Sequence, residues 1–506
     1  MLFGQGSYID IGSYTTGVTE YGLPVTNFND ASLNYNIPAA QRIGYGSEKQ
    51  QHHISSLFAR LNYDYDEKYI LQGVIRRDGS SRFGENNKYG IFPSASLGWV
   101  PTKEAFWPQN SVVDFLKFRG GYGVVGNDAI PPDAFLATVG GGRNYSFGTG
   151  DTYISGYSPN APSNPDLKWE QTSQTNVGLD AVLFHDFNLT LEWYKKKTTG
   201  ILQQPSLPYY IGAISNPYAN IGDMENTGEE ISLSYHKKIG DVNIGVDGNI
   251  SHVKNTVTRF APGQLYKDIQ GVQNIQGTVT RSEVGHPWAS FYGYDNLGVF
   301  QTQSEINSYV SSKTGQMIQP NAKPGDFKWS DLNGDGKIDD NDREFLGNSL
   351  PTWQYGLTFT ASYKNFDILI FGQGQAGNKI FQGLHRLDIL TANYTKAALG
   401  RWTGPGTSTT WPRLTDNDVN NNFEYNSSFY LQSGTYFRIK TLQLGYTLDR
   451  NLAQKIGIQK LRIYLTGQNL VTFTKYTGYD PDISGSIDQG FYPQARTFIV
   501  GLNVGF

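Results

Sequence analysis

Residues 353–371 read WQYGLTFTASYKNFDILIF. Trp353, Tyr355, Leu357, Phe359, Ala361 and Tyr363 fall on alternate positions, and every residue between them is Gln, Gly, Thr or Ser. Successive side chains of a strand point to opposite faces, so this is a strand with one apolar face and one polar face. After only Lys364 and Asn365 a second apolar run begins, Phe366 to Phe371. The segments before Trp353 and after the hairpin each continue for dozens of residues without a clear period. Very short turns at one end of the strands and very long loops at the other predict an outer-membrane β-barrel. The advance from Trp353 to Tyr363, at about 3.3 Å per residue and a tilt near 45°, gives roughly 23 Å of height. The apolar band of such barrels is about 25 Å tall with aromatic girdles at both rims, so the two terminal aromatics fall at the interfaces.

Composition agrees. Tyr 33, Phe 28, Trp 9 and Gly 58 in 506 residues suit strands and girdles. The mean hydropathy of -0.45 reflects a polar lumen and polar loops, and without a run of about 18 apolar residues no membrane helix is expected. A net charge of -4 gives no reason to expect a nucleic-acid partner. The only tight basic run, Lys195 to Lys197, reads as a wet strand end. Without cysteine there is no disulfide, thiol chemistry or thiolate metal site. The start, MLFGQGSYIDIGSYTTG, has neither the basic residues nor the continuous apolar core of a secretion signal. A barrel has to cross the inner membrane, so the chain is expected to be a fragment or to start inside a longer precursor.

The terminal run Phe498, Val500, Leu502, Val504, Phe506 alternates as an inward strand. Working back from it, strands are expected at 460–470, 436–447, 366–371, 353–363, 287–299, 274–283, 242–252, 228–238, 187–197, 170–184, 115–126, 90–100, 68–77 and 52–64. The shortest connections, at Asp66 and Glu67, His185 and Asp186, Gly240 and Asp241, and Lys364 and Asn365, then all fall on the inner side. The strand at 274–283 is required by parity alone. The count is about 15, and an odd count does not close as the usual even barrel, so strands are missing upstream or miscounted. A β-propeller or repeat sandwich would show a fixed period, and none is seen. Residues 1–51 are expected as an extracellular loop or partial strand at a truncated start, and 52–506 as the barrel.

The sharpest local motif is DLNGDGKIDDND, residues 331–342. Asp331, Asn333 and Asp335 stand at positions 1, 3 and 5 of a calcium loop, Gly336 at 6, the Lys337 carbonyl at 7, Asp339 at 9 and Asp342 at 12. Calcium takes six to eight oxygens around a tight turn, which this spacing offers. The usual Glu at position 12 is the shorter Asp, and an acidic surface turn is the alternative. Calcium here would brace a long outer loop. GQGQAG, Gly372 to Gly377, matches a dinucleotide fingerprint, but it follows half of an antiparallel hairpin and Asp388 comes too early for the ribose contact. It reads as glycines at the outer end of a barrel strand. His52 and His53 lack the spacing of a helical zinc pair. No nucleophile elbow or acid pair appears, so no catalytic residue is assigned and an enzyme is not expected. Arg60, Arg76 and the Arg77–Asp78 pair are expected to line the lumen, because a mid-plane Arg facing lipid costs about 2 to 4 kcal/mol. Trp402, Trp411, Tyr425 and Phe429 in the outer loops suit either stacking on sugars or packing of the loop against a partner.

Several strings together resemble the SusC/RagA family of TonB-dependent outer-membrane transporters. They are LFARLNYDYDEKYILQGVIRRDGSSRFGENNKYGIFPSASLGWVPTKEAFW (57–107), NPDLKWEQTSQTNVGLD (164–180), DLNGDGKIDDNDREFLGN (331–348), RWTGPGT (401–407), SGTYFRIKTLQLGY (433–446) and LTGQNLVTFTKYTGYDPD (465–482). The likeness runs over most of 50–506. It implies an all-β, antiparallel transmembrane barrel of 22 strands, of which these are the C-terminal ones, plugged by an N-terminal domain that this chain lacks. It also implies import of glycan or peptide oligomers, a SusD-like surface lipoprotein as lid, energy from the TonB complex, and a bacterial outer membrane around the barrel. The rivals are a secreted glycan-active enzyme, because 331–342 also resembles half a dockerin repeat, and a passive porin or adhesin. A dockerin needs a second copy nearby, and none is found.

Overall fold

The computed structural model describes the chain except residues 16–17, 28–40, 45–46, 109–111, 141–144, 148–151, 155, 206–209, 211–214, 273–276, 386–391 and 456. Its frame is one antiparallel sheet of 14 strands, each hydrogen-bonded to the next in chain order. They are β1 (Leu2–Thr15), β2 (Ser47–Tyr65), β3 (Tyr69–Ser80), β4 (Tyr89–Trp99), β5 (Val113–Asn127), β6 (Glu170–Leu183) and β7 (Phe187–Thr199). They continue as β8 (Asp223–Ile239), β9 (Val242–Arg259), β10 (Trp353–Tyr363), β11 (Phe366–Ala376), β12 (Tyr436–Thr447), β13 (Lys460–Thr474) and β14 (Thr497–Gly505). Among the described residues β1 and β14 pair on one side only. Among the described residues no helix is long and apolar enough to cross a membrane.

The hairpin of β10 and β11 forms in the expected register, Tyr363 opposite Phe366 and Trp353 opposite Ala376. Its apolar face continues across the sheet: Leu357 lies opposite Gly248 on β9, Phe359 opposite Val246, and Ile368 on β11 opposite Leu444 on β12. Leu57, Leu61, Ile75, Ile91, Leu97, Leu357 and Leu465 are all exposed on this face. An apolar surface that spans a whole sheet is far larger than a soluble monomer shows, and it matches the hydrocarbon of a bilayer. The inner turns are built for tightness. Asp66 and Glu67 both have positive φ (55° and 53°) in the three-residue connection from Tyr65 to Tyr69, and Gly240 (60°) and Lys364 (52°) take the same region in two-residue turns.

Two of the expected strands are not in the barrel, and one barrel strand was not expected. Residues 277–283 and 287–299 belong to the extracellular layer, and 274–276 lie outside the described residues. Thr280–Glu283 and Ser290–Tyr294 sit in a four-stranded sheet with Tyr266–Asp268 and Arg343–Gly347. The strand at 274–283 rested on parity alone, and that at 287–299 misled because a small buried sheet shows the same period as a membrane strand. Removing both strands keeps the parity, since they cancel, and all four shortest turns still share the inner end. Residues 2–15, read as loop or partial strand, form a full strand paired with 47–60. The count becomes 14, an even number.

Candidate functional site

The polar positions of the strands form the lumen wall, and much of that wall is paired across strands. Arg119 on β5 reaches Asp180 on β6 (3.2 Å) and Glu192 on β7 (2.5 Å). Thr190 donates to Asp180. His236 on β8 meets Asp247 on β9 at 2.9 Å. Arg462 on β13 binds Asp367 on β11 (2.9 Å) and Gln443 on β12 (2.8 Å), and Gln443 donates to Thr466. These charges are held by neighbours on the same face. Arg60, Arg76 and Asp78 have lumen parity as expected, with Arg76 bonded to Asp78 (2.7 Å) and Ser56 (2.9 Å). Arg77 does not: it has the opposite parity, three residues from the outer end of β3, where its guanidinium lies 3.7 Å over the Tyr89 ring. An Arg stacked near the rim keeps its charge close to water.

At the outer end three long connections fold together as a layer above the barrel mouth. Lys379–Gln382 pairs antiparallel with Leu431–Ser433 and parallel with Ile487–Asp488, which joins the connections after β11 and β13. Asn296–Val299 pairs with Phe327–Trp329 in the connection after β9. The aromatic residues of these loops are the layer's core. Tyr425 stacks on Tyr294 at 4.2 Å, Phe429 lies 5.0 Å from Phe327, and Trp411 meets Phe429 edge-on at 5.1 Å. Trp402 faces Gln301 with its indole N–H at 3.3 Å. All four pack within the chain, an arrangement that is neither of the two readings open from the sequence. Burial pushes the Tyr294 and Tyr430 hydroxyls well above the ordinary tyrosine range.

Inside the layer lies a polar cluster that the sequence did not advertise. Asp326 is fully buried and accepts from Arg413 Nε (2.7 Å), Asn422 Nδ2 (3.0 Å) and the Lys323 N–H (2.8 Å). Asn422 in turn accepts the Phe327 N–H, and Gln319 accepts the Trp329 N–H. These side chains replace the strand partners that a short isolated hairpin lacks. A second lock holds the connection 475–496 against the wall. Arg438 on β12, nearly fully buried, pairs with Asp480 and donates to Thr472 (2.8 Å), while Lys440 reaches Gln494 (2.8 Å).

In the 331–342 loop, Gly334 and Gly336 supply the positive φ of the tight turn (74° and 87°). The side chains turn onto the loop's own amides. Asp331 accepts from Gly334 and Gly336, Asn333 from Asp335, and Asp335 from Lys337. Asp342, 1% exposed, accepts from Leu332 and Asp339, and Asp339 accepts from Asn341. Burial raises the Asp342 carboxyl above the usual range, and the backbone N–H groups oppose that shift. Among the described residues no three His, Asp or Glu side chains converge as a metal-holding group.

His52, Ser80 and Asp128 meet near the outer ends of β2 and β3, the residue types of a hydrolytic triad. Ser80 Oγ (3.4 Å) and Asp128 Oδ2 (2.8 Å) share one ring nitrogen, Nε2, and Ser80 bonds Asp128 directly at 2.6 Å. A relay needs the base between nucleophile and acid, on opposite nitrogens. This cluster is a clasp between strand ends. Gly372 to Ala376 lie within β11, an antiparallel strand, so GQGQAG binds no dinucleotide through a βαβ turn.

Comparison with known proteins agrees with this architecture. The family described as TonB dependent receptor-like, beta-barrel matches residues 3–470. TonB-dependent receptor P3 of Formosa agariphila is 33% identical over 466 residues, covering 89% of this chain and 45% of the relative. TonB-dependent receptor SusC of Bacteroides thetaiotaomicron is 30% identical over 458 residues, covering 89% of this chain and 43% of the relative. The RagAB peptide importer in its open-open state shares the fold with a TM-score of 0.80 at 23% identity, over 100% of this chain and 52% of that one. The chain spans about half the length of the curated relatives it matches. These relatives are receptors rather than enzymes, which leaves the secreted glycan-active enzyme without support. With the spanning sheet, the polar wall and the family match in agreement, the chain belongs to the TonB-dependent receptor β-barrel family, resembles its SusC/RagA type, and is an outer-membrane β-barrel rather than an enzyme.

Proposed function

We propose that these 14 strands form part of a closed barrel, of 22 strands, in an energised importer of a Gram-negative outer membrane. The importer takes up glycan or peptide oligomers, with a SusD-like surface lipoprotein over its mouth and the TonB complex supplying energy through an N-terminal plug. The observation that carries the reading is the combination of a lipid-exposed sheet with a folded extracellular layer whose core ties the connections after β9, β11 and β13 together. A passive pore needs no such platform, whereas a docking lid does. Unpaired edges at β1 and β14 are not tolerated by hydrocarbon, so further strands close the barrel. The test is deletion of the gene in its host, followed by uptake of labelled oligosaccharides and peptides with and without a protonophore. Loss of uptake of one oligomer class, and the same loss on de-energising the wild type, is the expected result. Uptake unchanged for every oligomer tested refutes the reading, and uptake indifferent to the protonophore turns it into a passive porin.

The same reading includes Ca2+ in the 331–342 loop, held by Asp331, Asn333, Asp335, Asp339, Asp342 and the Lys337 carbonyl, bracing the extracellular layer. The support is the ligand spacing together with a buried Asp342 that has no ion pair. Calcium would offset that buried charge and draw the carboxylates inward from the loop amides.

A further inference from the structure

Most of the charged lumen wall satisfies itself, as the pairs around Arg119, His236 and Arg462 show. A stretch across β8 to β11 does not. There Glu230, Asn249, Ser251, Gln354 and Gln375 border an open recess of about 490 Å³ facing the lumen. Register places them side by side: Glu230 opposite Ser251, Ser251 opposite Gln354, and Gln354 opposite Gln375. Among the described residues none of these five side chains has a hydrogen-bond partner. Asp482, brought over the wall by the Arg438 lock, closes the outer side of the recess.

The chemistry of the recess is specific. Gln375 and Gln354 stand on one side of Asn249 and Ser251 and Glu230 on the other, so amide, hydroxyl and carboxylate groups line four adjacent strands. Glu230 adds a bidentate acceptor. Among the described residues that line the recess none is a cation, and Arg438 is committed to Asp480 and Asp482. A ligand that matches this set carries many hydroxyls, each both donor and acceptor, and no negative charge. Vicinal hydroxyls of a sugar ring present two donors to one carboxylate, the geometry that Glu230 offers. A sulfated or uronate chain would meet an unneutralised carboxylate, and apolar peptide side chains would find little apolar lining to enter.

We propose that the recess bordered by Glu230, Asn249, Ser251, Gln354 and Gln375 is a wall subsite for an uncharged oligosaccharide. The assignment rests on the importer reading and narrows its cargo from glycan or peptide to neutral glycan. The plug of the complete protein faces the same wall, and contact with it is an outcome the test separates.

The experiment uses the complete, plug-containing protein in detergent, titrated with three labelled series. These are neutral gluco-, xylo- and manno-oligosaccharides, their uronate or sulfated counterparts, and peptides of similar length. A neutral oligosaccharide is expected to bind, and Asn249→Ala with Gln354→Ala is expected to weaken it about 10- to 100-fold, the loss of two hydrogen-bonding groups. Glu230→Lys is expected to shift preference toward the uronate counterpart. Heat-modifiable migration of each variant as a folded barrel keeps a folding defect apart from lost affinity. Tightest binding of an acidic oligosaccharide or a peptide by the wild type overturns the assignment, as does no binding of any neutral oligosaccharide. An affinity unchanged within twofold in the double variant, or a variant that alters only protease release of the plug, also overturns it. Failure of the importer reading is a separate result, because it shows as unchanged uptake after gene deletion whatever the binding data say.

Discussion

Arg413→Ala should loosen the extracellular layer while leaving the barrel intact. Asp326 is fully buried, and its partners are the Arg413 guanidinium, the Asn422 amide and the Lys323 N–H. Removing Arg413 leaves a buried carboxylate with two neutral donors and no cation. Breaking a buried ion pair from one side costs about 3 to 5 kcal/mol. At about 1.4 kcal/mol per tenfold, the open form of the layer becomes roughly 150- to 4,000-fold more populated. The change is local, because Asp326 anchors Phe327 and Trp329 through Asn422 and Gln319 and touches no strand of the barrel. Hydrogen exchange read by mass spectrometry on the complete protein should show peptides covering 319–330 and 411–423 exchanging faster by at least two orders of magnitude. Peptides from β10 and β11 should be unchanged. Asp326→Asn should be milder, since Arg413 is 20% exposed and its charge finds water. An Arg413→Ala protein whose layer exchanges within threefold of wild type would refute the reasoning. Equal acceleration in β10 and β11 would show that layer and barrel unfold as one unit.

Other outcomes follow from the same contacts. Trp411→Ala and Phe429→Ala should each destabilise the extracellular layer by less than the about 3 to 5 kcal/mol of a fully buried aromatic, since both are partly buried, read as faster proteolysis on intact cells, without a primary loss of sugar affinity. Arg438→Ala should free the connection 475–496, with new protease cleavage between Asp480 and Gln494 and the barrel's heat-modifiable migration preserved. Calcium should raise the thermal midpoint of the layer relative to EDTA, and Asp331→Ala with Asp335→Ala should abolish that difference. Equal midpoints with and without calcium in the wild type would leave 331–342 as an acidic turn. Ser80→Ala should lower stability by about 1 to 3 kcal/mol, read by thermal melting, through the lost hydrogen bonds to Asp128 and from the Arg82 N–H.

The barrel was legible where residues alternate between two solvents. Trp353 to Tyr363 and Phe498 to Phe506 face lipid on one side and lumen on the other, so the period is written in the residue types. Ser290–Tyr294 misled because its face is set by a neighbouring sheet rather than by a bilayer, yet both produce a period of two. Leu2–Thr15 was obscure because glycines interrupt its pattern and its partner, 47–60, lies across a long loop that no local pattern reveals. The calcium-loop motif was legible as spacing, but the fate of its side chains depends on which amides they reach. The Asp326 cluster and the wall subsite were not legible. Glu230, Asn249, Gln354 and Gln375 are ordinary polar residues of four separate strands, and only the register makes them neighbours.

The central claim is that β10 has one face in lipid and one in the lumen. The 506 residues contain no cysteine, so single cysteines at successive positions from 354 to 362 can carry a spin label in the complete protein reconstituted in liposomes. Oxygen, which concentrates in lipid, and a water-soluble nickel complex then report each side chain's surroundings by electron paramagnetic resonance. The account predicts a period of two, with oxygen favoured at Tyr355, Leu357, Phe359 and Ala361 and strongest near Leu357 and Phe359. The nickel complex or protein burial should dominate at Gln354, Gly356, Thr358, Thr360 and Ser362. A profile without that period, or with oxygen favoured at the Thr and Ser positions, would contradict a membrane barrel in this register.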